Sequence, residues 1–404
     1  MSYVYSNEIK YSDSANLDAF SRLRVSQTTT LLDLKHLYDK LPLFIDERSN
    51  AGGTSSWADA CVTMSTTQSG AYVVRQSIKA APYQSGKSQL VEASFTNFAT
   101  QANVTKRVGY YTSGTASSYG GGFDGFFLES NGAANAITFQ IWKGGTNILT
   151  ATSSAWLDTD YDAALIDWTK TQLMFVDFQW LGVGRMRFYM VIDGVPRLFY
   201  EHTGMNNLAT VYMDNPNKPV RYEIRQSGAG SGSFGMICSG VSMEGSINSL
   251  YRTMAINDFT ERTLSLGGTT YAVLGIRLAG TNRQIGVSAV LQAIDVLQTS
   301  NDNYIVTLQK APALSGTPTW TQADNTPIEY SFGAGAISVT QTGFIIGSFM
   351  GKSGALSQER FTMEDSAFSL GYKIDQSPEE WWICIQATGA TSKFRTGVNI
   401  KYYK

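Results

Sequence analysis

The sequence at residues 185–200, RMRFYMVIDGVPRLFY, carries the clearest folding signal of the chain. In its first half, apolar side chains occupy every second position from Met186 to Ile192. A period of two is the pattern of a β-strand with one buried face. Asp193-Gly194 then supplies the dipeptide of a two-residue type I′ turn, and apolar residues resume after it. The segment predicts an antiparallel β-hairpin.

Strand signals continue on both sides of this hairpin. Residues 172–180 form a long, mostly apolar run that fits the interior of a sheet. Other short runs, bounded by Gly, Ser and Pro, lie at residues 71–78, 89–95, 136–142, 220–225, 233–244, 271–278, 287–297, 304–310, 328–332, 343–349, 381–387 and 395–403. Few helical periods separate them. The sequence therefore predicts an all-β protein built from sandwiches or jelly rolls.

The strand pattern divides the chain into three regions. Residues 1–50 mix charges with apolar positions without a sustained heptad, which predicts an extended N-terminal arm with one helical turn over residues 32–37. Such an arm cannot bury its apolar side alone, so it must lie on its own domain or on a neighbouring subunit. Residues 51–248 are predicted to form a first β-sandwich and residues 249–404 a second, because a polar stretch near the boundary interrupts the pattern.

Composition narrows the classes of partner. Charged residues make up 16% of the 404 residues, well below the roughly 25% of an average soluble domain. Lys+Arg 31 and Asp+Glu 33 nearly balance, so no cationic excess is available for nucleic acid. No apolar run approaches the ~20 residues of a membrane span, and no membrane partner is expected. Low charge instead suggests a surface that other protein subunits partly cover.

One stretch has the spacing of a calcium-binding loop. Asp158, Asp160 and Asp162 alternate as the first ligands of an EF-hand do, but Ala163 and Thr169 stand where the glycine and the final glutamate belong. A solvated acidic turn is the simpler interpretation, and whether the three aspartates bind calcium stays open. With two histidines and no CxxC or HExxH motif, we expect neither a metal site nor a cofactor.

Catalytic arrangements are not expected either. A glycosidase needs two carboxylates at a defined separation, whereas Glu379 and Glu380 are adjacent and would point to opposite faces of a strand. Neither His36 nor His202 lies in a recognisable nucleophile motif. The glycines at residues 120–122 lack the Lys-Ser/Thr ending of a phosphate-binding loop and predict a tight β connection. We therefore predict that the chain is not an enzyme, with no catalytic residue.

The tryptophans could include a platform for stacking sugars, although most aromatic side chains at strand spacing belong to a core. Trp381 and Trp382 are adjacent and must point in opposite directions in a strand. One of the two is expected to be exposed or to lie at an interface. This makes the pair a candidate contact for a glycan or a protein partner.

Several motifs are similar to a known family. Residues 18–26, DAFSRLRVS, followed by Tyr38-Asp39 and by PLFIDE at residues 42–47, resemble the N-terminal signature of a group of tailed-bacteriophage virion proteins. DWTKTQ at residues 167–172 and DFQWLGVGRMRF at residues 177–188 look like the central signature of that group. The resemblance spans roughly the first 245 residues and is looser beyond them.

The middle region is also similar to concanavalin-like lectin sandwiches, notably in its strand–Asp-Gly–strand unit. This resemblance implies a concanavalin-like or jelly-roll β-sandwich, followed by the second β-sandwich. The metal and sugar ligands of lectins have no clear counterparts in this sequence. The likeness therefore implies a fold and transfers no activity.

The virion resemblance implies a structural function. We expect a component of the virion, synthesised in the host bacterial cytoplasm, that decorates the capsid or lies in the neck, the tail or a fibre attachment. It would form a ring or trimer with copies of itself and contact other virion proteins. Deleting residues 1–48 should then prevent assembly without unfolding the sandwiches. The expected interface lies in the arm, at Asp18, Phe20, Arg22, Arg24, Leu43 and Phe44, where the arginines would pair with carboxylates of a partner.

Two alternatives remain at this stage. The first is a receptor-binding module that recognises host-surface glycans through exposed aromatic side chains. The second is an enzyme that degrades a surface polysaccharide, which the scarcity of paired carboxylates disfavours.

Overall fold

A computed structural model describes residues 26–114, 118–152, 166–180, 184–203, 208–245, 251–280, 286–333, 337–352, 358–362 and 369–403. Within these residues the regular structure is β-strand, and every strand pair is antiparallel. The prediction of an all-β protein is confirmed. Among the described residues, no helix is long and apolar enough to cross a membrane.

Fifteen strands build the first sandwich. They are β1 (Thr28–Lys35), β2 (Ile45–Ser49), β3 (Gly53–Ala58), β4 (Cys61–Thr66), β5 (Tyr72–Ser77), β6 (Gln89–Thr96), β7 (Val104–Thr112), β8 (Asp124–Asn131), β9 (Ala136–Lys143), β10 (Thr146–Thr152), β11 (Gln172–Phe178), β12 (Arg185–Ile192), β13 (Val195–Thr203), β14 (Val220–Gln226) and β15 (Gly232–Glu244).

These strands form two large sheets. An eight-stranded sheet has the order β13-β12-β11-β6-β15-β4-β3, with β1 also paired to β15. A seven-stranded sheet has the order β10-β9-β8-β7-β14-β5-β2. The chain passes repeatedly between them, since β4 and β6 belong to the first sheet and β5 and β7 to the second. This crossing topology is that of a jelly roll, and the predicted concanavalin-like sandwich is confirmed.

The core of this sandwich lies between the two sheets. Alternate residues of β11 and β12, including Met174 and Phe188, point inward and are fully buried. Phe188 stacks on Phe139 of the opposite sheet, with ring centroids 4.8 Å apart. The hydroxyl of Tyr222 on β14 also crosses the core and lies 3.1 Å from the carbonyl oxygens of Ser94 and Cys238. Apolar packing and a cross-sheet hydrogen bond therefore both hold the layers together.

The predicted hairpin at residues 185–200 is formed by β12 and β13. Ile192 pairs with Val195, so Asp193 and Gly194 are the two turn residues. Both have positive φ, 50° and 77°, as a type I′ turn requires. The register of the hairpin is thus set by the turn that the sequence indicated.

The described part of the predicted arm belongs to the sandwich. β1 pairs with β15 of the eight-stranded sheet, and β2 pairs with β5 of the seven-stranded sheet. The helical turn expected over residues 32–37 is wrong, because Leu32 and Leu34 instead bury their side chains as part of β1. Residues 26–50 therefore pack on their own chain. Deleting residues 1–48 would remove strands from both sheets, so that truncation is unsuited to testing assembly alone.

Thirteen further strands follow. They are β16 (Tyr251–Asn257), β17 (Arg262–Thr263), β18 (Thr270–Leu278), β19 (Ser288–Gln298), β20 (Tyr304–Lys310), β21 (Ala313–Leu314), β22 (Thr321–Gln322), β23 (Ile328–Phe332), β24 (Val339–Gln341), β25 (Phe344–Gly351), β26 (Gln358–Thr362), β27 (Glu380–Ala387) and β28 (Lys393–Tyr403).

These strands form the second sandwich. A five-stranded sheet has the order β16-β28-β19-β26, with β17 also paired to β28, and a six-stranded sheet has the order β22-β23-β18-β27-β20-β25. β21 and β24 make a small separate pair. A second apolar core, distinct from the first, contains side chains of both sheets such as Leu274, Val306 and Ile400. The predicted second β-sandwich is confirmed, and β15 and β16 lie on either side of the predicted boundary at 248/249.

Residues 371–379 of the second sandwich lie against the first. Hydrogen bonds connect this segment with the first sandwich: Tyr372 N to Ile78 O (3.2 Å), Ile374 N to Asp46 Oδ2 (2.9 Å), Arg48 Nη2 to Asp375 Oδ2 (2.9 Å) and Gln376 Nε2 to Ser113 O (3.1 Å). Gly371 lies so close to Ile78 that an added Cβ would come within 2.1 Å of its carbonyl oxygen. The contact is therefore polar and closely fitted.

The turn of the β12–β13 hairpin generates a stability prediction. Replacing Gly194 with alanine should lower the unfolding free energy by ~1 kcal/mol, because the residue keeps a positive φ while open space surrounds its Cβ position. We expect a fall of roughly 2–4 °C in the midpoint of thermal unfolding. Gly280→Ala is the matched control, since that glycine also has open space but no positive φ. Equal losses for the two variants would contradict the turn assignment.

Candidate functional site

The outer face of the seven-stranded sheet carries a cluster of paired charged side chains. Along β14 the side chains alternate, so that Tyr222 and Ile224 enter the core while Arg221, Glu223 and Arg225 point outward. The neighbouring strands β7 and β8 place Arg107 and Glu129 beside them, on the same face. The result is a band of alternating charge across three adjacent strands.

Glu223 is the centre of this band. It is fully buried, and its carboxylate binds Arg107 Nη1 (2.5 Å), Arg225 Nε (2.5 Å) and Arg221 Nη2 (2.7 Å). Arg107 also binds Glu129, with 2.6 Å between Nε and Oε2. Burial opposes ionisation of Glu223, but the three guanidinium groups outweigh it and hold the pKa of this carboxyl far below its ordinary value. The carboxylate is thus a permanent charge at neutral pH.

The connection between β7 and β8 folds over this charged band. Arg221 Nη2 donates to Tyr119 O (2.7 Å), and Arg225 Nη2 donates to Ser118 O (2.5 Å). At Gly120 an added Cβ would come within 2.9 Å of Arg225 Nη1, so the backbone of the connection lies directly against this guanidinium. The glycine-rich stretch that the sequence marked as a tight connection therefore covers the arginines with its backbone carbonyls.

An aromatic cluster lies next to the charges. Phe123, at the end of the same connection, packs against Tyr111, Phe127 and Trp142 on the outer face. The guanidinium of Arg107 lies 4.8 Å from the Phe123 ring centroid, within the range of a cation–π contact. The cluster shields the ion pairs from water, which strengthens their electrostatic interaction.

Beyond the cluster the face becomes accessible. Gln140, Trp142, Asn147 and Thr150, on β9 and β10, form a surface that we call the outer shelf. Gln140 Oε1 accepts hydrogen bonds from Trp142 Nε1 (2.8 Å) and Asn147 Nδ2 (3.3 Å). Gln140 is buried, Trp142 is half-buried and stacks on Phe127, and Asn147 and Thr150 are exposed. The outer shelf thus presents a fixed indole beside neutral amide and hydroxyl groups.

A cavity of about 370 Å³ lies where the two sandwiches meet. Its wall contains the ion pair of Lys218 with Asp124, and Asp124 Oδ1 also accepts a hydrogen bond from Asp214 N (2.9 Å). Burial lowers the pKa of Lys218, and the Asp124 carboxylate partly opposes that shift. These charged groups bind one another, so the cavity offers a ligand mainly satisfied polar atoms.

The structure places two of the predicted assembly residues. Leu43 and Phe44 are half-buried against their own chain. Leu43 O accepts a hydrogen bond from Lys310 Nζ of the second sandwich (2.6 Å), and Phe44 packs on the first core. These two residues therefore contribute to packing within the chain. The remaining predicted contacts, Asp18, Phe20, Arg22 and Arg24, lie outside the described residues.

The predicted glycan contacts at Trp381 and Trp382 need correction. The two side chains do point to opposite faces of β27, but they are only 1% and 0% exposed. Trp381 belongs to the second core, while Trp382 on the other face is covered by Trp320, Ile337 and Val339. A segment distant in sequence thus closes over the outward-facing indole. Neither tryptophan is accessible to a glycan.

The calcium-loop spacing stays a prediction from the sequence. Asp158, Asp160 and Asp162 lie outside the described residues. Within the described part of the chain, no group of three or more His, Cys, Asp or Glu side chains is arranged to hold a metal ion. His36 is buried beside Arg75, and its Nδ1 lies 2.9 Å from Ile237 O, which is a structural position.

Neither the charged band nor the outer shelf was predicted from the sequence. A usable signal was present in each. Arg221-x-Glu223-x-Arg225 places three charges on one face of a strand, and Gln140-x-Trp142 does the same for the outer shelf. Charges at alternate strand positions usually indicate a solvated face, so the pattern alone did not show that this face is covered.

Comparisons with known proteins find likeness only among solved structures. No family model matches the chain, and no curated protein matches it. The carbohydrate recognition domain of Emp47p is 11% identical, covers 55% of this chain and 98% of its own, and has a TM-score of 0.36. A protein of unknown function with a galectin-like fold from Bacillus subtilis is 14% identical, with coverages of 54% and 98% and a TM-score of 0.36. A protein of unknown function from Shewanella oneidensis MR-1 is 14% identical, with coverages of 57% and 90% and a TM-score of 0.36.

The charged band predicts a pH-dependent loss of stability. Glu223→Gln should lower the unfolding free energy by ~3–5 kcal/mol at pH 7, because it leaves three arginines around an uncharged group. Since the folded pKa of Glu223 lies below the ordinary 4.5, its contribution is complete above that value and declines as the pH falls below it. At pH 3 the difference between wild type and variant should therefore shrink by about 2 kcal/mol.

The measurement is chemical denaturation of both proteins at pH 7 and pH 3. Glu201→Gln is the control, because the pair of Glu201 with Arg185 is partly exposed and should contribute less than ~1 kcal/mol. If the two variants lose similar stability at pH 7, the charged band is not the structural centre described above.

Proposed function

We propose that this chain is a structural component of a tailed-bacteriophage virion that acts by assembling with copies of itself and with other virion proteins, without catalysis. The sequence resemblance in residues 18–47 and 167–188 supports the virion assignment. The surface supports assembly. The observation that carries the proposal is the set of large apolar side chains left exposed, among them Tyr38 (86%), Phe259 (83%) and Met350 (76%).

These exposed side chains have the composition of a protein interface. Interfaces are enriched in aromatic residues and methionine, whereas isolated exposed apolar groups on monomers are usually scattered. Leu37 and Tyr38 are exposed and follow His36, whose carbonyl oxygen accepts a hydrogen bond from Nε1 of the exposed Trp57 (2.7 Å); we group these three residues as the apolar patch. The carboxylates Glu129 and Glu223 are held by arginines, which suits a structural role better than acid–base chemistry. In this proposal the protein is made in the host bacterial cytoplasm and functions in the virion.

The assembly function is tested by deleting residues 1–25, which leaves β1 and β2 intact. Sedimentation velocity of the full chain should give an oligomer of fixed size, and mass spectrometry of purified particles should recover the chain as a stoichiometric component. The deletion should raise the protein concentration needed for assembly at least tenfold. It should leave the midpoint of thermal unfolding unchanged. A full chain that stays monomeric and is absent from particles would refute the proposal. Normal assembly of the truncated chain would refute only the role of Asp18, Phe20, Arg22 and Arg24 and would leave the assembly function intact.

A second candidate function is glycan binding at the outer shelf. Its support is the half-buried indole of Trp142, held by the buried Gln140, beside the exposed amide of Asn147 and the exposed hydroxyl of Thr150. A neutral sugar could stack its apolar face on the indole and exchange hydrogen bonds with these groups. The site lies on β9 and β10, so it leaves the apolar patch at Leu37, Tyr38 and Trp57 free for assembly.

This second function predicts a specific loss on mutation. Wild-type protein should bind at least one bacterial surface glycan on an array, and Trp142→Ala should weaken that binding at least tenfold, a change of about 1.4 kcal/mol. Trp57→Ala is the matched control, because it removes an exposed indole from the other sheet. Calorimetry with the best glycan gives the affinities. If the wild type binds no glycan on the array, or if Trp57→Ala loses as much glycan affinity as Trp142→Ala, the outer shelf is ruled out as a glycan site.

A further inference from the structure

β25 is an unusual edge strand. In the part of the chain that the structure describes, it pairs with β20 on one side and with no strand on the other. Residues 343–351, GFIIGSFMG, contain neither charge nor proline. Proteins normally protect sheet edges with such residues, because an unpaired strand offers its backbone groups to another chain.

Four other edge strands of the described sheets follow that rule, and two more are polar instead. β2 carries Asp46, Glu47 and Arg48, and β13 carries Pro196. β16 includes Arg252 and β26 includes Arg360. β3 and β10 are rich in Ser, Thr and Asn. Among these edges β25 alone combines length with an apolar, uncharged sequence.

A bulge in β25 sets the direction of its side chains. Leu308 of β20 pairs with Gly347 and Gln309 pairs with Ile345, so Ile346 is the extra residue. Ile305 pairs with Met350. Residues 305 and 309 are four apart on β20 and share a face, so their partners Ile345 and Met350 also share one face of the sheet. These two side chains are 45% and 76% exposed.

We infer that β25 pairs antiparallel with β25 of a second copy of this chain, with Ser348 on the two-fold axis. This inference rests on the proposed assembly function and assigns it an interface. With Ile346 bulged in both strands, Ile345 of each copy lies opposite Met350 of the other, on one face. On the other face Gly347 lies opposite Phe349, and within each copy Phe361 already covers both residues and stacks on Phe349. The two six-stranded sheets then become one continuous sheet.

The strand is complementary to itself in this register. Ile345 and Met350, both exposed, each meet an apolar partner in the other copy, and cross-strand pairs of this kind stabilise a sheet. The backbone groups of the free edge gain hydrogen bonds. The exposed Lys352 residues of the two copies fall at opposite ends of the paired segment, so like charges stay apart. A closed two-fold pair also leaves no free edge at β25 for further growth.

The register is tested first by a cross-link. Residues directly opposite in antiparallel strands have Cα atoms ~4.5–5.5 Å apart, which matches disulfide geometry. Ser348→Cys should therefore form a disulfide-linked dimer under mild oxidation, both in solution and in purified particles. Thr146→Cys, an exposed position on the edge strand β10, is the matched control. The wild type is the control for dimers that form through the three native cysteines. Neither control should give this dimer.

A charge exchange provides the second test. Ile345→Lys should weaken self-association at least tenfold by sedimentation, because it places an ammonium opposite Met350. The double variant I345K/M350E should recover the loss, since each copy then offers a lysine to the other copy's glutamate. Recovery also shows that the variants fold.

Two results would overturn the inference. The first is an oligomeric chain in which Ser348→Cys gives no dimer and Ile345→Lys assembles normally, which leaves the assembly function intact with another interface. The second is loss of association in the single variant without recovery in the double variant, which excludes this register. Failure of the proposed function itself is recognised separately, by a wild-type chain that is monomeric and absent from particles.

Discussion

The fully buried carboxylate of Glu223 is the constraint on which the first sandwich depends. It binds arginines from its own strand and from β7, and two of those arginines also bind carbonyls of the β7–β8 connection. Removing one partner of such a group is costly, because the remaining charges stay buried without compensation. The β7–β8 connection and Phe123, whose ring lies 4.8 Å from the Arg107 guanidinium, complete the cover over this site.

The same observation explains the low charge of the sequence. Only 16% of the residues are charged, and several of these are buried inside the protein. Arg75, Arg187 and Arg221 are among its largest fully buried side chains, and they bind Glu47, Asp177 and Glu223. The surface is therefore poorer in charge than the composition suggests. A surface with few charges and several exposed aromatic side chains is suited to contact with other protein subunits.

Local signals in the sequence predicted most of the strands. The hairpin at residues 185–200 was predictable because turn chemistry and alternation act between neighbours in the chain. The burial of a side chain by a segment distant in sequence was not predictable. Trp382 is buried by Trp320 and Val339, which are more than forty residues away in sequence, and the outer shelf depends on the register of β8, β9 and β10. Residues 26–50 resembled an arm because each short strand there has its partner elsewhere, at β15 and β5.

The two proposed functions, assembly and glycan binding, would use different surfaces of this chain. The outer shelf lies on β9 and β10 of the first sandwich, whereas β25 is an edge of the second. The segment at residues 371–379 fixes the second sandwich to the first through Asp46, Arg48 and Ser113, so a copy bound at β25 is held in a defined relation to both sandwiches. Pairing two chains at β25 would present two outer shelves on one rigid unit. Weak contacts of each outer shelf with a repetitive surface would then act together, because the second contact becomes intramolecular once the first is made. If both proposals hold, self-association would therefore strengthen recognition.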